Sequence, residues 1–467
     1  VRTILAQFVG VSVTVLAMLQ TGSASAGTPM AAGGGEHSLA LKDDGSLWVW
    51  GRNNFGQLGI GSTADSPIPI KVGDGYISVA ASWMTSAAIR TDGSLWMWGY
   101  NRMGQLGDGS TGTSPIPKRI GDNFLQVATG HDHTIAVKKD GSLWAWGDNE
   151  SGQLGDGSRT ASLTPKKIGD GYATAVAGWS HTLAIKTDGS LWGWGSNAKG
   201  QIGTGTAPSY LVPTLIGDGY TNAAIGAGAY SVALKRDGSL WAWGINNASQ
   251  LGDGTKATSL APKKIGDGFT GIASGTMHAV AIKNNQGLWA WGGNILGQVG
   301  DGTTKISGIP KRIGDGFASV ATGASHTLAI KTDGSLWAWG SNVYGQLGVT
   351  TTETADSNNI SSSPKQVFAD GFAGGINFAS VASEVTTSTS GTTVNITWTA
   401  VPGASGYTFF YAPYPGADYV NQFDVGTLLA LSAVLPAGSA FYVAIQAYDA
   451  AGGRSAFSNV TYFVVSP

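Results

Sequence analysis

Apolar and polar positions along most of this chain fall into short runs bounded by turn residues, the grammar of strands rather than helices. One stretch shows the unit. Val79-Ala80-Ala81 is a short run of small residues and residues 86–90 form a second, followed by Asp92-Gly93, a dipeptide suited to the tight hairpin turn that twisted strands prefer. Residues 94–99 make a third strand. A long loop through Gly104-Gln105-Leu106-Gly107 leads to a fourth near residues 117–120, and Gly121-Asp122 turns the chain onward. Helix is expected to be almost absent.

The unit returns seven times, since Leu-Trp-x-Trp-Gly begins at Leu47, Leu95, Leu143, Leu191, Leu240, Leu288 and Leu336. Two other markers keep the interval: an Asn-to-Gln segment (Asn53 to Gln57 through Asn342 to Gln346) and an Asp-Gly-aromatic segment (Asp74 to Tyr76 through Asp370 to Phe372). Four antiparallel strands in roughly 48 residues are the size of one propeller blade, and radial repetition protects strand edges. A linear solenoid is the competing architecture. The ends favour a ring, because Ala31-Ala32-Gly33 supplies part of a first strand and residues 372–377 supply an extra piece after the last unit. Each can complete the other's blade.

The third, fourth and seventh copies read, with small departures, Gly-x-x-His-(Ser/Thr)-Leu-Ala-(Leu/Ile)-Lys-x-Asp-Gly-Ser-Leu-Trp-Ala-Trp-Gly-x-Asn-x-x-Gly-Gln-Leu-Gly. This resembles the regulator-of-chromosome-condensation repeat family, in its bacterial secreted type, over residues 30–377. The resemblance implies a seven-bladed propeller and leaves function open, since one fold hosts many activities. After Ile376 the beat stops. A Ser/Thr-rich linker is expected over residues 379–393, and residues 394–467 resemble a fibronectin type III module: Ile396-Thr397-Trp398, Gly406-Tyr407 and Phe441-Tyr442-Val443-Ala444-Ile445 mark its strands, with Phe441 where that family's corner tyrosine would align. The expected fold class is all-β, a seven-bladed β-propeller over residues 27–378 plus a C-terminal β-sandwich.

Composition narrows the function. With 72 glycines, 17 tryptophans and 12 % charged residues the chain suits many short strands and tight turns. A net charge of −2 denies it the cationic field that drives nucleic-acid binding, so no nucleic-acid partner is expected. It has no cysteine, which excludes disulfides and thiolate sites. Residues 1–26 run from Arg2 through an apolar stretch to Ala24-Ser25-Ala26, the pattern of a signal peptide, with a retained membrane anchor as the alternative. The mature protein is expected to begin near Gly27 in a secreted, cell-surface or periplasmic location, without a later membrane span.

Candidate chemistry is repetitive. His37, His133, His181, His278 and His326 share one repeat position, replaced by Thr85 and Tyr230 in the other copies. They read either as a ring of imidazoles able to hold an ion or as a hydrogen bond repeated in every blade. His131-Asp132-His133 would aim two rings at one side of a strand, yet offers too few ligands for a metal. Asp108-Gly109, Asp156-Gly157, Asp253-Gly254 and Asp301-Gly302 supply one carboxylate each, too few for calcium, and read as turns. The cations before the hairpins (Lys42, Arg90, Lys138, Lys186, Lys235, Lys283, Lys331) read either as an anion-binding rim or, as expected, as charges neutralised by the Asp two residues on in every copy but the sixth, which has Asn285. No asymmetric pair of acid and base, or nucleophile and base, stands out, so neither catalysis nor a cofactor or metal is expected.

One face carries the variation. Strand alternation places the turn between strands one and two, and the loop between strands three and four, on the same side of the ring, with the near-identical hairpins on the other. The short turns hold Trp83-Met84, His131-Asp132, Trp179-Ser180 and Met277; the long loops hold Phe55, Met103, Leu296 and Tyr344. Aromatic and methionine side chains are enriched at interface centres, so these residues form the candidate partner-binding set. The function expected is a secreted, monomeric, non-catalytic scaffold binding a protein or glycan. The alternatives are a guanine nucleotide exchange factor or chromatin-associated regulator, as in the best-known family member, whose exchange activity is attributed to a β-wedge that the spacing here leaves no room for, and a propeller enzyme of another type.

Overall fold

The computed structural model describes residues 29–226, 228–349, 359–368, 385–390, 393–398, 405–413, 421–448, 454–457 and 461–465. The expected signal peptide and the strand piece expected over residues 372–377 lie outside them. The chain forms two compact units, one reaching residue 367 and one formed mainly by the residues after it.

The first unit is a ring of seven four-stranded sheets, each a meander of consecutive strands. In blade one these are β1 (Met30–Gly33), β2 (His37–Leu41), β3 (Leu47–Gly51) and β4 (Ser66–Gly73). Blades two to seven repeat them over residues 76–121, 124–169, 172–217, 220–266, 269–314 and 317–368. The first strand lines the centre and the fourth is the outer edge.

Burial follows that placement. The second strand, such as Leu183-Ala184-Ile185 within His181–Lys186, is apolar on both faces because a neighbouring blade covers each side. The fourth strand is longer than expected: Ser114–Gly121 rather than 117–120. It carries Pro115 and Pro117, which an edge strand tolerates because its outward backbone needs no donor.

The second Trp of each repeat fills the gap between blades. Trp98 lies among Leu39, Leu41, Leu47, Val49, Leu58, Tyr76 and Val79, drawn from blades one and two. All seven of these indoles are fully buried. Truncating one to alanine is expected to cost on the order of 3–5 kcal/mol. Each indole N–H also finds a backbone acceptor: Trp98 Nε1 donates to the Gln57 carbonyl at 2.9 Å, and Trp146 Nε1 to that of Gln105 at 2.9 Å.

The same contacts join the last blade to the first, so the ring is closed and the solenoid is excluded. Trp50 Nε1 donates to the Gln346 carbonyl at 2.9 Å, and Ala324 N donates to the Gly34 carbonyl at 3.0 Å. Blade one is complete from consecutive strands, with a first strand of four residues against six in blade two.

The second unit packs two sheets face to face. One holds Val385–Ser390, Thr393–Trp398 and Ala430–Val434; the other is built on Gly406–Pro413 and Ala440–Tyr448, with Asn421–Gly426, Arg454–Phe457 and Thr461–Val464 at their sides. Its core combines Val394, Ile396 and Trp398 with Tyr407, Phe409, Val443, Ile445 and Phe463. Residues 385–390, which composition assigns to the linker, are a strand: threonine favours the pleated backbone, and Val385 pairs with Trp398 and is buried. Phe441 packs against Tyr411 and Phe463, with centroids 6.0 Å away in each case.

Candidate functional site

Backbone hydrogen bonds fix which loops share a face. Arg52 N, just past β3, donates to the Glu36 carbonyl between β1 and β2, and Asp148 N donates to Asp132 O at 2.8 Å in the same way. Both variable segments therefore emerge together.

The opposite face is nearly uniform, with Asn285 and Gly287 of blade six as departures. Its Asp carboxylates accept from their own turns, as Asp92 does from Ser94 N at 2.8 Å and Ser94 Oγ at 2.6 Å. The neighbouring cations lie over aromatic faces. Lys138 Nζ is 4.8 Å from the Phe124 centroid and 4.5 Å from that of Trp144; Lys331 lies over Phe317 and Trp337 likewise. The Asp108-type residues also serve turns: Asp108 accepts from Ser110 N at 3.0 Å and from Lys118 Nζ at 2.5 Å.

The five repeat histidines are fully buried and bond between blades. Nε2 meets a hydroxyl of the next blade: His37 to Ser86 at 2.8 Å, His133 to Thr182 at 2.9 Å, His278 to Thr327 at 3.0 Å and, across the closure, His326 to Ser38 at 2.9 Å. Those hydroxyls donate to Gln carbonyls, Thr182 to Gln153 at 2.8 Å for example, so Nε2 must be the donor to them. Nδ1 is then a bare acceptor, and no group among the described residues partners it. Burial holds these imidazoles neutral, pushing His37, His181, His278 and His326 down to about 3 and His133 to about 4. They staple the ring together.

His131 behaves differently from His133, and the two do not share a side as strand alternation suggested. The strand begins only at His133, so His131 sits in the preceding turn, at the surface.

There the turns of the seven blades surround the mouth of the central channel, a funnel of about 110 Å³. Its throat is made of backbone. Gly34, Gly130, Gly178, Gly226, Gly275 and Gly323 stand at equivalent places, and a Cβ at Gly323 would lie 2.5 Å from Gly34 O, one at Gly130 2.5 Å from Gly178 O. Only blade two differs, with Ser82 where the following histidine is replaced by Thr85. Over one side lean three aromatic rings from three blades. His131 stacks on Trp179 with centroids 4.3 Å apart and 11° between planes, and Trp83 reaches across blade three to 5.4 Å from His131 and 5.8 Å from Trp179. Trp179 is 44 % exposed. Asp132 Oδ2 accepts from His131 Nδ1, and its Oδ1 accepts from Gln105 Nε2 at 3.1 Å.

The remaining candidates lie around this centre. Met84 and Ser180 are half-buried and their carbonyls accept from Tyr100 N and Ser196 N. Phe55 is half-buried edge-on to Tyr100 at 5.1 Å, and Tyr344 carries the Arg52 guanidinium 4.5 Å above its ring. Met103 and Met277 are exposed, and Leu296 is half-buried. Sequence reasoning passed over the residue that follows each Trp-Gly, although Arg52, Tyr100 and Asp148 all belong to this face. That position varies as freely as the two loops, a signal available in the repeats.

A closed ring of antiparallel blades with one nearly uniform and one variable face is a β-propeller. The chain matches the RCC1-like domain over residues 17–269, just over half its length, and the regulator of chromosome condensation (RCC1) repeat over residues 286–330 and 333–383. It belongs to the RCC1-like propeller family. Prp20p from Saccharomyces cerevisiae, which binds Gsp1p and histones, has a similar fold with a TM-score of 0.62 and 21 % identity, covering 69 % of this chain and 85 % of that one. Human WBSCR16 gives 0.58 and 23 % over 65 % and 86 % of the two chains. The Ultraviolet-B receptor UVR8 of Arabidopsis thaliana is 48 % identical over 40 residues, which is 9 % of this chain and 9 % of the receptor.

Proposed function

We propose that this chain is a secreted, non-catalytic interaction scaffold that binds a protein partner through the face bearing the funnel. The observation that carries the reading is the convergence of Trp83, His131 and Trp179 from three different blades onto one partly exposed patch at the channel mouth. Packing between blades does not require these rings, because the second Trp of every repeat already supplies it. Desolvated tryptophans of this kind contribute about 2 kcal/mol or more each to a protein interface. The family membership agrees with a protein partner, and the composition of residues 1–26 supports export. A nucleotide-exchange role by analogy with the best-known family member lacks an inserted wedge among the described loops of this face.

The test is a pull-down from the secreted and envelope fraction of the source cell with the mature chain and with a Trp83→Ala/Trp179→Ala variant. The double variant should lose the partner while its thermal midpoint stays within a few degrees of the parent. Retained binding would move the working surface elsewhere, and a collapse of stability would return both tryptophans to a structural role.

A further inference from the structure

We infer that the funnel receives a lysine or arginine side chain from a loop of the protein partner, an assignment that rests on the reading of this face given above. Size is the first constraint. At about 110 Å³ the funnel is well below the roughly 300–1,000 Å³ typical of small-molecule sites, and matches a single inserted side chain.

Chemistry then selects the side chain. Trp83, His131 and Trp179 form an aromatic wall, whose π faces attract a cation and stack on a guanidinium plane. Deeper in, Ser82, Thr129 and Thr276 are among the residues lining the funnel, and their hydroxyls are buried without a hydrogen-bond partner among the described residues. Thr129 is only 6 % exposed. An ammonium or guanidinium entering here brings donors toward these unpaired groups, which an apolar side chain does not.

Charge agrees with size and shape. Among the described residues no lysine or arginine lines the funnel, and the carboxylate of Asp132 lies just behind its wall, hydrogen-bonded to His131. Asp148 adjoins it through the bond from Asp148 N to Asp132 O, and Glu150 N donates to the Asp148 carboxylate. An anionic residue is disfavoured there, whereas a basic one gains attraction and an oriented approach. Across the ring, blades six and seven present Met277, Ile295 and Val343, which are 44 %, 70 % and 55 % exposed. The partner segment therefore carries one basic residue flanked on one side by aliphatic ones.

A phage library of disulfide-constrained loops, selected on the intact mature chain, tests this while the partner is still unidentified. The enriched loops should share a Lys or Arg beside aliphatic residues, and raised salt should weaken them. Asp132→Asn, which removes the charge at nearly the same size, should weaken them roughly tenfold. Trp179→Phe should retain most of the binding and Trp179→Ala should lose it, with midpoints of all variants measured alongside. Enriched loops without a basic residue that still depend on Trp83 and Trp179 would overturn the cation assignment and leave the face standing. Loops that bind the Trp83→Ala/Trp179→Ala variant as well as the parent would overturn both. Trp179-dependent capture on a glycan array in place of peptide would also overturn the assignment, since a sugar would then be the occupant.

Discussion

Acidification should open the ring between neutral pH and about pH 4, because five fully buried imidazoles must gain protons that the folded state cannot hold. Each donates through Nε2 to a hydroxyl of the next blade and packs Nδ1 against backbone, with the Gly130 Cα proton side facing His133, for instance. A second N–H would have no acceptor there. Burial lowers four of them from 6.5 to about 3 and His133 to about 4. Between these values and 6.5 the unfolded chain binds protons that the folded one lacks, so acid favours unfolding. The contribution is complete above about pH 6.5 and is lost as pH falls toward 3 to 4. At pH 5 each ring forfeits roughly 2 kcal/mol, about 10 kcal/mol for five, against a typical domain stability of about 5–15 kcal/mol. Asp156 and Asp253, held down at about 2, add acid sensitivity only below their ordinary 3.8. Urea unfolding followed by tryptophan fluorescence at pH 7, 6 and 5 measures the effect. Near pH 5 stability should fall by about 1.4 kcal/mol per pH unit for each ring, and His278→Gln should remove one such share. A midpoint unchanged from pH 7 to pH 5 would refute the reasoning.

The throat and the uniform face yield two more expectations. Gly323→Ser should destabilise by about 1–3 kcal/mol, since its Cβ would lie 2.5 Å from Gly34 O and 2.0 Å from the His326 ring; adding His326→Thr, which reproduces the Ser82 and Thr85 pair of blade two, should recover part of that in a denaturation series. Lys138→Met keeps the alkyl stem between Phe124 and Trp144 but removes the charge, and should cost about 1–2 kcal/mol in the same assay.

The blade was legible because each of its elements is local: an Asp-Gly hairpin, a Leu-Trp-x-Trp-Gly strand and a glutamine loop repeat at one interval, and together they determine a four-stranded sheet. What joins blades was not, since it depends on groups about a full repeat apart. His133 and Thr182 stand 49 residues away from each other, and nothing in either neighbourhood announces the bond. The glycine three residues before each histidine was visible as part of the repeat, yet its reason is the backbone of the next blade. Local charge pattern gave no sign of the two rings over which Lys138 lies. Threonine-rich composition misled at residues 385–390, where a strand was read as a linker. For the site, variation among copies identified the face, but the meeting of Trp83 with Trp179 over His131 depends on how far two side chains lean across an intervening blade.

Hydrogen exchange of the chain with its captured partner tests the central claim most directly, because it maps the contact without altering the protein. The account predicts slowed exchange on binding in residues 82–84, 131–132, 179–180 and 276–277, with no change in the Asp-Gly hairpins at 92–93, 140–141 and 188–189. Protection confined to those hairpins, or to the C-terminal sandwich, would contradict it.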